Sequence, residues 1–202
     1  IFHNTYWRHF RFYIFIIFIV LFGCENYFLP KQSAYLRLDY PKPEYKLIDD
    51  RDFPFFFEAN TILSEISDID INSESIDFII NYNQLNAQIN FQYKNVNSNE
   101  KLNAYILDLK MTIETHSTMA NSVKIKDYSL KEKNIFGRIF DLSGDVASPY
   151  QFYLTDSTNN IISGLVYFNI KPNYDSILPA INYIENDIIH LIESFNWKNY
   201  NK

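Results

Sequence analysis

Residues 87–93 read AQINFQY, and this stretch decides the fold class of the chain. Apolar residues at every odd position alternate with amide side chains at every even position. A period of two is typical of an antiparallel strand that has one buried face and one wetter face. The stretch therefore predicts a strand within an antiparallel sheet, and the segments on either side are interpreted around it.

A helix is predicted directly after this strand. Asn97 and Glu100 resemble a capping pair at its beginning. Apolar or aromatic residues then recur at helical spacing on one face. The residues of that face are Leu102, Tyr105, Ile106, Leu109, Ile113, His116 and Ala120. The change from a period of two to a helical period marks a helix that packs on the sheet.

Other segments of the chain also have strand-like patterns. Further strands are predicted at residues 35–38, 76–81, 123–130, 135–142, 150–155 and 161–170, the first of them ended by Pro41-Lys42-Pro43. Phe53–Phe57 is interpreted either as an edge strand or as an apolar plug. Residues 49–52 are predicted to be an acidic turn, residues 65–74 a polar loop and residues 156–160 a hairpin loop.

A second helix is predicted to close the chain. Asp175 and Ser176 can cap it, and Pro179 suits a first helical turn. Its buried stripe is predicted to contain Ile181, Ile184, Ile188, Leu191, Ile192 and Phe195. The order of elements predicts an α+β fold, with two main helices packed on an antiparallel sheet in two or three layers. This order is topologically similar to the Mog1/PsbP-like sandwich.

The N-terminal segment has the pattern of a lipoprotein signal. Arg8 and Arg11 precede an unbroken apolar run over Phe12–Phe22. Eleven residues of helix span roughly 16 Å, against roughly 30 Å of bilayer hydrocarbon, so the run is too short for a comfortable membrane span but suits a signal peptide. It ends at Leu21-Phe22-Gly23-Cys24, which resembles a lipobox.

These features predict the domain organisation. Residues 1–23 are predicted to be a lipoprotein signal peptide, residues 24–34 a tether lipidated at Cys24, and residues 35–202 a single α+β domain. The alternative is a plain signal peptide, or an uncleaved anchor, in which Cys24 is incidental. Cys24 is the only cysteine in the sequence, so the predicted domain contains no disulfide and no cysteine-based metal or redox site.

Composition and charge restrict the class of partner. The 202 residues are 47% hydrophobic and have a net charge of −6, which favours a globular core. Residues 1–23 hold two arginines and no acidic residue, so without them the net charge is −8. No basic patch is evident, which disfavours nucleic acid as a partner and leaves acyl chains as the expected membrane contact.

The sequence contains few residues that suggest catalysis. It has no glycine-rich phosphate loop, no G-x-S-x-G and no H-E-x-x-H motif, so no enzyme activity and no cofactor are predicted. The acidic residues Asp49, Asp50, Asp52 and Glu58 lack the ligand spacing of a calcium loop. A solvated turn is the favoured interpretation, and no metal site is predicted.

Two histidines lie outside the predicted signal peptide. His190 is predicted to be at the surface, on the polar side of the last helix. His116 is interpreted as a hydrogen-bonded histidine at the core boundary, with a functional role as the alternative. A Ser/His/Asp triad that joins His116 to Ser157 or Ser176 is a further alternative, which the spacing does not select.

Residues 134–198 resemble the C-terminal half of the gliding-motility lipoprotein D (GldD) family. The matching pieces are Phe136-Gly137, Gly144, Ala147-Ser148, the run Gln151–Thr158, Gly164, Tyr167-Phe168, Pro172–Ser176, Pro179, Asp187 and Trp197. Looser matches upstream are Tyr35-Leu36-Arg37, Pro54-Phe55, Phe91–Lys94 and His116. The chain departs from the family pattern at Asp145, at Ser163 and in lacking two cysteines near Phe53 and Ile76.

The resemblance implies a function. Members of this Bacteroidota family are accessory lipoproteins of the gliding apparatus and the associated type IX secretion system, with no assigned enzyme activity. A lipid-anchored protein in the cell envelope that faces the periplasm is therefore expected, with motility or secretion subunits as its partners. The alternatives are a periplasmic lipoprotein that binds a small molecule or peptide and a hydrolase that uses His116.

The polar turns supply candidate partner-binding residues. Hydroxyl, amide and carboxylate groups at the ends of strands can contact a partner backbone, and they can equally close turns and cap helices. The candidates are Thr155, Asp156, Ser157, Thr158, Asn173, Asp175, Ser176 and His116.

Overall fold

The structure is a computed structural model that describes residues 38–170 and 174–198. Ten strands and two α-helices occur in these residues. Their bounds are β1 Tyr45–Ile48, β2 Phe55–Asn60, β3 Glu65–Ile71, β4 Ser75–Tyr82, β5 Ala87–Asn95, α1 Asn99–Ser117, β6 Ser122–Leu130, β7 Ile135–Ser143, β8 Tyr150–Thr155, β9 Asn160–Phe168, α2 Tyr174–Ser194 and β10 Asn196–Trp197. The predicted α+β class is confirmed, and the similarity to the Mog1/PsbP sandwich stays a prediction.

Seven strands form the main sheet in the order β3-β4-β5-β9-β8-β7-β6, and every neighbouring pair is antiparallel. The predicted alternation of β5 is confirmed, because its odd-numbered residues from Ala87 to Tyr93 are buried and Gln88 and Gln92 are only partly covered. The long pairing of β5 with β9 joins the two halves of the sheet.

Two hairpins of this sheet end in the same kind of turn. The β4–β5 and β6–β7 connections are each a single turn of 3-10 helix, followed by an asparagine with positive φ. Asn86 has φ of 49° and Asn134 has φ of 52°. Asparagine tolerates the left-handed conformation better than most residues, which explains its presence at both positions.

A second sheet of three strands has the order β1-β2-β10. Phe55 and Phe57 of β2 are completely buried, and Phe53 before it is 2% exposed. The prediction of an edge strand or plug here was wrong, because β2 pairs on both sides. The alternation of buried and partly buried residues in β2 has the strand period, which the unbroken apolar sequence hides.

The larger core lies between the main sheet on one side and α2 with the small sheet on the other. Phenylalanines fill much of it, including Phe78 and Phe91, whose ring centroids are 4.6 Å apart at an interplanar angle of 2°. The predicted buried stripe of α2 is confirmed at all of its positions, from Ile181 to Phe195. Buried aromatic pairs of this kind add stability beyond the area they cover.

The opposite face of the main sheet carries α1 over a smaller core. Phe140 and Tyr153 of the sheet contact this cluster, together with Leu102 and Ile113 of the helix. The predicted packing face of α1 is confirmed, although Tyr105 and Leu109 on it are only partly buried. Consecutive strand residues point to opposite faces, so Phe140 lies under α1 whereas Ile139 belongs to the larger core.

Two predictions made at element boundaries were wrong. Residues 65–71 form the edge strand β3 and not a loop, because a bulge between Ser67 and Asp70 interrupts the alternation. The N-cap of α1 is Ser98, whose Oγ accepts the N–H of Lys101, one residue after the predicted cap. Neither helix in the described residues is both long and apolar enough to cross a bilayer.

The beginning of α2 also differs from its prediction. Asp175 lies inside its first turn, and Oδ1 of Asp145 accepts the N–H of Tyr174 at 3.0 Å. Pro179 is the sixth residue of the helix and not part of its first turn. The predicted signal peptide, tether, Cys24 and most of the strand at 35–38 lie outside the described residues.

Candidate functional site

A cleft of about 370 Å³ opens at one end of the main sheet. It is lined by residues from five segments: Pro54, Tyr93, Asn95, Asn134, Asp156, Thr158, Asn159, Asn160 and Trp197. The hairpin loop between β8 and β9 contributes three of these residues, and Asn160 at the start of β9 is a fourth, as expected if loops on a rigid sheet carry the contacts. The sequence predicted this loop and its polar residues, but not the aromatic wall opposite them.

Asp156 holds the loop in shape. Its Oδ1 accepts the backbone N–H groups of Thr158, Asn159 and Asn160, each at 2.9 Å. Its Oδ2 accepts the side-chain amide of Asn160 at 2.6 Å. An aspartate that accepts several N–H groups of its own turn is a typical loop-closing residue, so its carboxylate is engaged within the chain.

The ionisation of Asp156 follows from these contacts. Burial by itself raises the pKa of a carboxyl group, and Asp156 is only 8% exposed. The N–H groups of Asn160, Thr158 and Asn159 outweigh this burial, so the pKa of Asp156 lies below its usual range. The loop is therefore built around a carboxylate that stays ionised at neutral pH.

The neighbours of Asp156 divide into buried and exposed residues. Thr155 is 5% exposed, and its Oγ1 donates to the carbonyl of Asn160 at 2.7 Å. Ser157, Thr158 and Asn159 are exposed, and Ser157 has φ of 64°. Of the predicted residues in this run, Thr155 and Asp156 support the loop while Ser157 and Thr158 present their side chains to solvent.

The aromatic wall of the cleft includes an unpaired donor. Trp197 is 5% exposed and packs edge-on against Phe195, with centroids 4.8 Å apart. Its indole Nε1–H has no hydrogen-bond acceptor in the described part of the chain. Since buried polar atoms are normally paired, the wall has hydrogen-bonding capacity that the surrounding protein does not use.

Asp175, another candidate residue, lies at the opposite end of β8. Asp175 lines a cleft of about 460 Å³ with Asn121, Gly144 and Asp145, beyond the last residue of β7. A six-residue strand spans roughly 17–20 Å, so the structure does not bring Asp175 together with the β8–β9 loop. Ser176 follows Asp175 in the first turn of α2, and Asn173 lies outside the described residues.

His116 is part of a polar cluster under the end of α1. Its Nδ1 lies 3.0 Å from Nε2 of Gln151, which also donates to the carbonyl of Ser148 at 3.1 Å. The Oγ of Ser148 and the Oε1 of Gln151 are buried without a partner among the described atoms. The interpretation of His116 as a hydrogen-bonded boundary residue is confirmed, and its recorded partner is a glutamine.

The family model of the gliding motility lipoprotein GldD matches residues 25–197. The chain belongs to this family. No curated protein is significantly similar to the chain. The expected family assignment is therefore confirmed, and membership of the GldD family makes the chain a gliding-motility lipoprotein.

Several residues that carry the GldD resemblance now have structural roles. Trp197 and the loop at 155–158 form opposite sides of the same cleft. A Cβ on Gly164 would lie 2.5 Å from two ring atoms of Phe152, so any larger residue at that position of β9 would have to displace this buried ring. Buried aromatics such as Phe53 and Phe78 fill the region where the resemblance implies two cysteines.

Asp187, another of the GldD-like residues, is the centre of a buried network that the sequence did not reveal. Asp187 is 4% exposed, and its Oδ1 accepts a hydrogen bond from the hydroxyl of Tyr45 at 2.8 Å. Its Oδ2 accepts hydrogen bonds from the side-chain amide of Asn60 at 2.8 Å and from the hydroxyl of Tyr82 at 3.1 Å. Burial raises the pKa of Asp187, and these three donors oppose the rise. The network fastens α2 to β1, β2 and β4.

His190 extends this network. Its ring stacks on Tyr45 with centroids 3.6 Å apart, and its Nε2 lies 2.7 Å from Oε2 of Glu58. The predicted surface position is therefore only half correct, because the side chain is 34% exposed and fully engaged. His190 lies among polar residues on this side of α2, so the sequence did not indicate that the small sheet covers it.

The acidic residues near residue 50 are used within the chain. Oδ1 of Asp50 accepts the N–H of Asp52 at 2.9 Å, and Oδ1 of Asp49 pairs with Nζ of Lys198 at 2.8 Å. Within residues 38–170 and 174–198, no three histidine, cysteine or acidic side chains are grouped as metal ligands. Asp50 closes the turn from within, and Asp49 ties it to the segment after β10.

Proposed function

We propose that this protein is a non-catalytic, lipid-anchored accessory component of the gliding-motility apparatus and the associated type IX secretion system, and that it acts through protein contacts. The observation that carries this proposal is the family match, which covers residues 25–197 and begins directly after Cys24. Cleavage before Cys24 would leave a chain that begins with the lipidated cysteine and continues directly into the matched residues.

The anchor is assigned to Cys24. A single acyl chain gives marginal membrane binding, whereas two or three give stable anchoring. The apolar run before Cys24 contains eleven residues and is too short to anchor the protein comfortably by itself. The folded domain then faces the periplasm, with a predicted net charge of −8 that gives it no electrostatic attraction to anionic headgroups.

The separation of His116 from Ser157 disfavours the triad that would join these two residues. His116 lies against Gln151 at the beginning of β8, while Ser157 follows the end of the same strand. A nucleophile and its base need to lie within hydrogen-bonding reach, and a six-residue strand separates these two groups. Small-molecule sites are mostly closed and apolar. The cleft near Trp197 has one aromatic wall, but asparagine side chains and the β8–β9 loop line the rest of it, so it suits contact with a protein surface better.

The proposed contact surface is the exposed top of the β8–β9 loop. Ser157, Thr158 and Asn159 are exposed there. Asp156 accepts the backbone N–H groups of Thr158 and Asn159, and Oγ1 of Thr155 accepts that of Ser157. Polar groups held rigidly before binding lose little entropy when a partner docks. The loop therefore has the exposure and the rigidity that a protein-binding surface needs.

The test is co-purification of the detergent-solubilised protein from its own cells. A Thr158→Arg, Asn159→Arg variant adds two bulky side chains to the loop, and we expect it to capture less than a tenth of the motility or secretion subunits that the unchanged protein captures. The matched control is Asn72→Arg, Ser73→Arg, which makes the same change at the exposed turn between β3 and β4. Equal capture by both variants would contradict the loop as the contact surface.

A second measurement addresses the motility role itself. The unchanged protein and the control variant are expected to restore colony spreading to cells that lack the gene, whereas the loop variant is not. Full restoration by a variant that captures no subunit would contradict the protein-contact mechanism.

A further inference from the structure

The two edges of the main sheet differ in shape and in charge. Strand β3 forms one edge, and its register with β4 shifts at a bulge between Ser67 and Asp70. Strand β6 forms the other edge and pairs with β7 over nine consecutive residues without a shift. Bulges, short strands and charged side chains, especially lysines, protect a sheet edge against further pairing. Strand β6 has no bulge and is not short, so its only protection of this kind is the charge of Lys124 and Lys126.

Charge separates the edges in the same way. The β3–β4 hairpin, residues 65–82, contains five acidic and no basic residues. The β6–β7 hairpin, residues 122–143, contains five basic and three acidic residues in a chain that is acidic overall. The β6 edge is therefore a basic segment of an acidic molecule.

The side chains of β6 alternate between two chemistries. Val123 and Ile125 lie on the face that carries α1, opposite Leu142 and Phe140, and are 39% and 59% exposed. Lys124 and Lys126 lie on the other face, opposite Asp141 and Ile139. Residues 122–127 are all exposed, and no other described strand pairs with the outer edge of β6.

Existing contacts leave much of this basic character available. Lys124 shares a 3.4 Å ion pair with Asp141, but its side chain is 79% exposed, so solvent weakens the pair. Lys133 donates to the carbonyls of Glu193 and Phe195 and belongs to the packing of α2. Lys126 makes no ion pair within 4 Å in the described part of the chain, although Lys124 and Lys126 are both close enough to Glu185 of α2 to oppose the rise in pKa that burial causes in that carboxyl group.

We propose that β6 is a docking edge for an extended segment of a partner protein in which acidic and apolar residues alternate. The segment adds an eighth strand to the sheet, with its backbone paired to β6, its carboxylates beside Lys124 and Lys126 and its apolar side chains beside Val123 and Ile125. Strand addition takes affinity from backbone hydrogen bonds and specificity from alternate side chains. Lysines on both copies of the edge repel a second β6, which favours a foreign acidic strand over self-pairing.

This inference deepens the proposed function, because it states the chemistry of one partner segment. It uses a surface distinct from the β8–β9 loop. If the peptide does not bind β6 but the loop variant still abolishes motility, this inference fails and the proposed function stands. The two failures are therefore distinguishable.

The test uses the full chain in phosphatidylcholine nanodiscs and nine-residue fluorescent peptides, with binding followed by anisotropy. The probe alternates glutamate and valine. The first control peptide has the same composition with the glutamates in one block, and the second alternates lysine and valine. The third is the glutamate–valine peptide N-methylated at every second residue, so that one of its edges cannot form backbone hydrogen bonds. We expect the probe to bind at least tenfold more tightly than each control.

The protein variants complete the test. Lys124→Glu, Lys126→Glu is expected to weaken probe binding at least tenfold, while Lys46→Glu, Lys101→Glu makes the same charge change at exposed sites elsewhere and leaves binding unchanged. Circular dichroism checks that both variants fold. Equal binding of the blocked or N-methylated peptide, or no binding of the probe, would overturn the inference. The inference would also be overturned if the chain self-assembled and the Lys124→Glu, Lys126→Glu variant abolished this self-assembly. The occupant of the β6 edge would then be a second copy of the chain.

Discussion

The two helices have similar lengths but opposite relations to the same sheet. Helix α2 buries eight of its residues, including Ile184, Asp187 and Ile188, whereas α1 buries only Leu102 and Ile113. Each fully buried isoleucine or leucine stabilises a fold by roughly 1.5–3 kcal/mol. The α2 side is therefore the scaffold, and the α1 side is a lightly held cover. The residues that stabilise the fold therefore lie mainly on the α2 face of the sheet, whereas the α1 face has more exposed surface.

The largest expected effect is a contrast between the cores on the two faces. Ile188→Ala removes a completely buried side chain from α2, and we expect it to lower the free energy of unfolding by about 3–4 kcal/mol. Leu109→Ala removes a partly buried side chain from α1 and is expected to lower it by about 1 kcal/mol. Urea unfolding measures both, and equal losses would contradict the division between the two faces.

The buried network of Asp187 sharpens the same comparison. Asp187→Ala leaves Tyr45, Asn60 and Tyr82 without their acceptor, and we expect it to lower the free energy of unfolding by about 3 kcal/mol. The folded pKa of Asp187 is raised by burial. We therefore expect the free energy of unfolding of the unchanged protein, relative to that of Asp187→Asn, to decrease as the pH rises from the pKa of Asp187 in the unfolded state to its higher pKa in the folded state.

Asp156 is expected to have the opposite pH dependence. Its folded pKa is lowered by the N–H groups that surround it, in spite of burial. Its contribution is thus fully present above the unfolded pKa and disappears as the pH falls through the folded value. Asp156→Asn is expected to lower the free energy of unfolding by about 1–2 kcal/mol at neutral pH. Urea titrations at several acidic pH values test whether the two aspartates differ in sign.

The smallest expected effect lies on the outer face of α1. Leu107 and Met111 are 58% and 57% exposed and follow each other by one helical turn. Leu107→Gln, Met111→Gln is expected to change the free energy of unfolding by no more than about 0.5 kcal/mol. A loss several times larger would mean that another element covers this face and that the assignment of α1 as a light cover is wrong.

Regular periodicity allowed much of the fold to be predicted. The alternation at 87–93 and the helical stripe from Ile181 to Phe195 are long and uninterrupted, so both elements were predicted close to their observed bounds. Strand β3 was missed because the bulge at Asp68 breaks its period. Strand β2 was misjudged because a run of phenylalanines hides the alternation that burial reveals.

The candidate site was predictable only in part, for a related reason. The polar loop at 155–158 has a local signature, which made it visible in the sequence. Trp197 and Asp187 act through contacts with residues more than a hundred positions away, such as Phe55 and Tyr82. Nothing in the local sequence encodes such pairings, so the aromatic wall and the buried network required the fold.

The lipid anchor is tested most directly by metabolic labelling with a clickable fatty acid, in which the unchanged protein is compared with Cys24→Ala. We expect the unchanged protein to carry the label in the membrane fraction and the variant to carry none. An unlabelled wild-type protein, or equal label on the variant, would contradict anchoring through Cys24.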